Sequence, residues 1–290
     1  VTNRFVVWSA RCLWFPLPYL AGAALRDGID GTSSGFTGVA AVSLWATWTL
    51  GLVALFVPHT VTLTFLRVTA PAGIVACAWA GFGPADNTVT ALALAITGLV
   101  SVLIHSAPFG SEFVNGTSYG DERRLLLRPP SVLLAGPIPL AWAATVVGVL
   151  AGPLLLGASQ TVGGIAALVI GLPLATVAAR SLYSLSRRWL VFVPSGMVVH
   201  DVASLIDPQL FRRVDIRRIG PALAESEALD VSQGALGLSL EVRFEQPMTV
   251  VQRDGRNTKG ISSEPNAILV SPSQPGEVLA EADRRKIVVG

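Results

Sequence analysis

The densest group of reactive side chains is Ser111–Pro130, where Glu112, Asn115, Tyr119, Asp121, Glu122, Arg123, Arg124 and Arg128 fall within 17 positions. Guanidinium groups present paired donors that match phosphate oxygens, so these arginines could meet lipid headgroups. Asp121 and Glu122 could then serve as acid and base, or hold a cation. One adjacent acidic pair without a histidine is too little for a metal site, and none is assigned. Asn115-Gly116 and Tyr119-Gly120 each permit a tight turn. The plainer expectation is structural: the arginines set membrane topology and pair with neighbouring acids to fix the loop.

Arg11 and Arg67 are the second candidates, because each lies inside an apolar run. A charge deep in a bilayer is costly and usually faces a partner or a wet cavity. Arg67 stands about 10 Å into its run at 1.5 Å per residue. Both arginines could instead snorkel to the interface. No membrane acid lies at matching depth, which argues against a proton relay or ion-coupled transport. His59 and His105, near the ends of two apolar runs, read as hydrogen-bonded interfacial residues rather than haem ligands. Cys12 and Cys77 lie in apolar segments and support neither a disulfide framework nor a thiolate metal site. Ser186, Ser195, His200, Asp201 and Asp207 lack the companions of a catalytic set. The chain has no GxSxG, HExxH, P-loop or dinucleotide fingerprint, and no cofactor is expected.

The elements that must carry these residues follow from composition. The chain has 290 residues, 51% hydrophobic and 14% charged, against about 25% charged in ordinary soluble domains. Residues 1–188 hold 10 basic and 6 acidic side chains, and residues 189–290 hold 11 and 13. A chain so segregated divides into a membrane body, 1–188, and a soluble tail, 189–290. Neither part carries the clustered basic face of a nucleic-acid binder, so nucleic acid is not an expected partner. Only Lys259 and Lys286 are lysines; the other 19 basic residues are arginine, a bias expected of a high-GC genome.

Six apolar stretches are long enough to cross a hydrocarbon core, which takes about 20 residues. They cover about 5–25, 37–57, 61–80, 88–107, 131–156 and 161–182. Asp86 and Asn87 can cap the fourth, and Pro137, Pro139 and Pro153 should kink the fifth. The first carries Arg11, Pro16 and Pro18. Ala21-Gly22-Ala23 resembles a signal-peptide cleavage site, but Arg11 within the apolar run favours a retained helix. Gly148 and Gly152, and the series Gly163, Ala167, Gly171, Ala175 and Ala179, would let helices approach closely, within the bundle or against a partner helix. Arg4, Arg123, Arg124, Arg128, Arg187 and Arg188 fall on one side of the membrane, against Arg26 on the other. The positive-inside rule makes the first side cytoplasmic, so a multi-pass plasma-membrane protein with a cytoplasmic tail is expected.

Beyond Arg188 the periodicity becomes that of strands. Trp189–Val193 and Met197–His200 flank Pro194-Ser195-Gly196 and predict a hairpin. Further strands are expected at Phe211–Ile219, Ala235–Phe244, Met248–Arg253 and Ala267–Val270, and a helix at Glu277–Lys286. The polar, Gly-rich stretch 254–266 reads as a mobile loop. Short strands closed by one helix resemble the pleckstrin-homology-like (PH-like) barrels attached to bacterial membrane proteins. The 111–130 pattern, SRRWLVFVP at Ser186–Pro194 and LDVSQGALGL at Leu229–Leu238 resemble a family of uncharacterised actinobacterial polytopic membrane proteins. That likeness covers most of the chain and implies no particular reaction. The function expected is a non-catalytic assembly or regulatory component of the cell envelope, among membrane lipids and with a protein partner or a second copy. The alternative is a lipid- or headgroup-handling transporter or enzyme, acting at the cytoplasmic interface around Arg67 and residues 111–128.

Overall fold

A computed structural model describes residues 2–223, 225–254 and 257–290, without the side chains of residue 2 and residues 257–259. Contacts divide the chain into two units: Val1–Glu112 with Pro139–Tyr183, and Phe113–Ile138 with Ser184–Gly290. The first unit is helical. Five stretches are long and apolar enough to cross a membrane: Ser34–Phe56, Thr60–Ala80, Asn87–His105, Ser131–Gly157 and Thr161–Leu185. They coincide with five of the six expected spans.

The stretch about 5–25 is not one continuous helix. It forms α1 (Thr2–Trp14), α2 (Leu17–Leu20) and α3 (Gly22–Ile29). Pro16 and Pro18 have no N–H to donate to the helical ladder, and the helix breaks there. The long helices α4 (Ser34–Phe56), α5 (Thr60–Ala80) and α6 (Asn87–His105) each begin at a polar cap. Ser33 Oγ accepts from Phe36 N, His59 Nδ1 from Val61 N, and Asp86 Oδ1 from Thr88 N and Val89 N. Those backbone donors, Val89 first and then Thr88, hold the Asp86 carboxyl below its usual range. After α7 (Ala107–Asn115), the chain returns through α8 (Ser131–Leu134), α9 (Pro137–Gly157) and α10 (Thr161–Leu185). The prolines at 137 and 139 stand just past a break, where a missing N–H costs little.

Gly148 and Gly171 let α9 and α10 touch through their backbones. A Cβ at either position would overlap the other residue, and one at Gly152 would overlap Leu168. Ala175 lies against the same spot. Gly163 is exposed, with only Leu155 near it, and Ala167 is half-buried. The small-residue series is therefore partly spent inside the unit.

The second unit is built mainly of strands. β1 (Arg123–Leu126) pairs antiparallel with β2 (Trp189–Val193), in register Arg123↔Phe192 to Leu126↔Trp189. β2 turns through Pro194-Ser195 into β3 (Gly196–His200), which pairs with β4 (Gln209–Arg212). A second sheet runs β5-β7-β10-β6, from β5 (Ile216–Pro221), β6 (Leu229–Asp230), β7 (Leu240–Phe244) and β10 (Ala267–Val270). β8 (Val250–Asp254) and β9 (Asn257–Ser263) form a separate hairpin. The expected loop at 254–266 is thus largely a strand, although residues 255 and 256 lie outside the described ones. Its alternation is hidden by polar residues that need no buried face.

Leu125, Leu190, Phe192, Met197 and Phe211 of the first sheet pack with Ile219, Leu240, Val242 and Ile268 of the second. Val278 and Ala282 of α11 (Pro275–Arg284) close this core. Among the described residues the hydrogen-bonded strands remain two four-stranded sheets and a hairpin, not one closed barrel.

Candidate functional site

In the helical unit, the first candidate arginine has a structural partner. Leu55 lies in the last turn of α4, where carbonyls lack intrahelical donors. Arg11 Nε and Nη2 donate to the Leu55 carbonyl at 3.1 and 3.0 Å, and its guanidinium lies 4.7 Å from the ring centres of Trp8 and Phe56. A cation at a helix C-terminus also complements the helix dipole. Arg11 therefore closes the end of α4. Arg67 differs: its Nε is buried and meets no hydrogen-bond partner among the described residues. His105 lies within electrostatic range of it and holds Nδ1 2.9 Å from the Ser101 carbonyl.

The break in the first apolar stretch is locked by two tryptophans. Pro18 cannot donate to the Trp14 carbonyl, and Trp48 Nε1 donates there instead, at 3.1 Å. Trp14 Nε1 donates back to the Trp48 carbonyl at 3.0 Å. A side chain at Gly51 would overlap the Trp14 ring, so the glycine is what lets the indole lie flat on α4.

The charged segment between α7 and α8 is wired into the β unit. Asn115 Oδ1 accepts from Ser118 Oγ and from Arg124 N, each at 3.0 Å. Arg124 reaches Thr117 Oγ1 at 2.7 Å and Glu122 Oε2 at 3.0 Å, and stands over the Trp189 ring. Glu122 also accepts from Tyr119 N, while Gly120 takes a φ of +60° that turns the chain. Tyr119 projects outward, 86% exposed. Asp121 pairs with Arg284 at 3.6 Å and Arg285 at 3.5 Å, and Arg123 with Glu277 at 3.5 Å, all on or beside α11. Arg128 Nη1 donates to the Leu236 carbonyl at 2.7 Å. Each of the three arginines thus has a partner within the unit.

Sequence reasoning passed over the most buried charge. Arg188 and Asp201 are each 1% exposed in their side chains. Arg188 Nε and Nη2 meet Asp201 Oδ1 and Oδ2 at 2.7 and 2.6 Å, and Nη1 donates to the Arg128 carbonyl at 2.9 Å. Asp201 Oδ1 also accepts from Ala203 N. This pair ties the segment after β1 to the sheet beyond β3. Two other acids are held ionised. The Ser226 hydroxyl, then Arg243 and Arg218, hold Glu241 below the usual carboxylate range despite its burial. Burial opposes ionisation of Glu281, and Arg284 and Arg285 overcome it.

The β unit also exposes leucines that its core does not absorb. Leu223, Leu236 and Leu238 are 75, 63 and 49% exposed. Ala222 N donates to the Ser239 carbonyl, which brings the first of these chain segments beside the others. Since Arg128 anchors the Leu236 carbonyl, the loop is held while its side chains face outward. Among the described residues no three His, Cys, Asp or Glu side chains are grouped to hold a metal ion. Comparison with family models, curated proteins and solved structures finds no match to this chain.

Proposed function

We propose that the chain is a non-catalytic multi-pass protein of the plasma membrane, whose β unit is a cytoplasmic assembly or regulatory module of the cell envelope. The observation that carries this reading is the surface formed by Leu223, Leu236 and Leu238. Exposed apolar side chains gathered on a soluble unit mark a contact surface. The partner is a second copy of the chain or another membrane protein. Arginine placement supports the cytoplasmic side. Two sheets around one core, followed by a C-terminal helix, support a PH-like reading.

Native mass spectrometry of protein extracted in mild detergent tests it. The expected result is a homo-oligomer or a stoichiometric complex that the triple variant Leu223→Ser, Leu236→Ser, Leu238→Ser dissociates without shifting thermal unfolding. A lone wild-type monomer, or a complex indifferent to the triple variant, overturns the reading.

Arg67 favours a second reading, lipid handling at the cytoplasmic interface, because its buried Nε meets no protein acceptor among the described residues. That reading expects phospholipid movement or headgroup turnover in proteoliposomes, lost in a folded Arg67→Ala protein. Equal behaviour of the two proteins removes it.

A further inference from the structure

A cavity of about 390 Å³ lies within the helical unit, lined by the broken first stretch, α4, α5, α6 and Leu150 of α9. Its size falls in the range of ligand pockets, about 300–1,000 Å³. The broken first stretch contributes Trp14, Leu17, Pro18, Ala21 and Leu25 to its lining. Irregular backbone at membrane depth is tolerated where it is buried in protein or lines a cavity.

The walls are mainly apolar, with the Ser43 and Thr47 hydroxyl groups among the lining residues. Thr37, Thr69 and Thr97 line the cavity, but their hydroxyls donate to Ser33, Phe65 and Ala93 carbonyls at 3.1, 3.0 and 2.7 Å. On α4 the lining runs from Thr37 to Trp48, about 16 Å at 1.5 Å per residue. That length and the mainly apolar lining suit one extended hydrocarbon chain.

The two ends differ in chemistry. One end carries the Trp14–Trp48 pair. The other end carries Arg26, which is exposed and has no hydrogen bond or ion pair among the described residues. Asp27 and Asp30 share its turn without pairing to it. Trp45, 56% exposed, lines the flank, so the cavity reaches the surface of the unit beside apolar side chains.

We propose that this cavity holds one acyl chain of a membrane phospholipid, with Arg26 meeting the lipid phosphate. The site belongs to the helical unit and the leucine surface to the β unit, and either assignment can fail alone. Gly73 lines the cavity, and a Cβ there would meet only Thr97 Cγ2, at an ordinary 3.8 Å. A larger side chain at 73 therefore fills the cavity without displacing backbone. Gly22, also in the lining, has nothing within 4 Å of such a Cβ.

Full-length protein in vesicles is irradiated with a phospholipid carrying a mid-chain diazirine, or with a diacylglycerol carrying the same chain, and the labelled residues are mapped by mass spectrometry. The phospholipid should label Leu25, Leu44 and Ala76 as well as Val169 and Ile170, which are exposed on α10. Gly73→Phe should abolish the first group and leave the second. Gly22→Leu, which fills the cavity from the broken first stretch, should do the same and serves if Gly73→Phe does not fold. Arg26→Gln should lower phospholipid labelling of the cavity about threefold, the size of one exposed ion pair, to the diacylglycerol level. Label confined to α10, or cavity label that survives both filling variants, overturns the acyl-chain site. Equal labelling by the two lipids in wild-type protein overturns the role of Arg26.

Discussion

At the scale of residues, the chain shows three ways of keeping an arginine. Arg11 serves a helix end, Arg67 has a nitrogen without a protein acceptor, and Arg188 is buried against Asp201. Removing one partner of a buried pair strands the other, which costs about 3–5 kcal/mol. Asp201→Ala should therefore lower the unfolding temperature of the β unit sharply. The double variant Arg188→Met, Asp201→Leu should recover much of the loss, and differential scanning fluorimetry checks both. Glu241 predicts a pH response. Its carboxyl is held below its ordinary value of 4.5, so the folded unit binds fewer protons than the unfolded chain in that range. Its contribution is full above about pH 4.5 and disappears as pH falls through the depressed folded value. Thermal unfolding measured from pH 6 downward should show an acid-side loss that Glu241→Gln reduces. Asp86 was legible as a helix cap because its partners lie within three residues. Arg188 was not: its acid is 13 residues away across a hairpin, and adjacent Arg187-Arg188 resembles a topology signal.

At the scale of elements, five long apolar helices and the 189–200 hairpin followed from length, hydropathy and turn residues. The misses share a physical cause, which is dependence on distant partners. β1 is four residues, Arg-Arg-Leu-Leu, and its alternation is too short to register. It is a strand because β2 offers an open edge 69 positions later, by the register Arg123↔Phe192. β9 is polar, with the composition of a loop, and is a strand because β8 pairs with it. The first apolar stretch had the composition of a span and the prolines of a break, and the prolines prevailed. Leu125 of β1 is 1% exposed in the core of the β unit. Leu125→Ala should cost about 2–5 kcal/mol. Hydrogen exchange should show the loosening in 189–200, not in α4–α6.

At the scale of the molecule, the chain passes between its two units three times, at Glu112–Phe113, Ile138–Pro139 and Tyr183–Ser184. The β unit is thus not a tail on a single tether, and residues 189–290 do not contain all of its strands. A fragment of 184–290 lacks β1 and leaves the β2 edge unpaired, which invites association with other chains. It should elute as aggregate in size-exclusion chromatography, whereas the same fragment joined to 113–138 should elute as a discrete species. Three passages also set a timetable for biosynthesis. Arg123 of β1 is made 69 residues before its partner Phe192 in β2, and α9 and α10 lie between. At about 5–20 residues per second, the strand waits about 3–14 s for its neighbour. During that wait the two intervening helices must enter the membrane as a returning pair, or β1 and β2 are left on opposite faces. A chain in which only one of these two helices crosses cannot bring β2 to β1, and its β unit stays open.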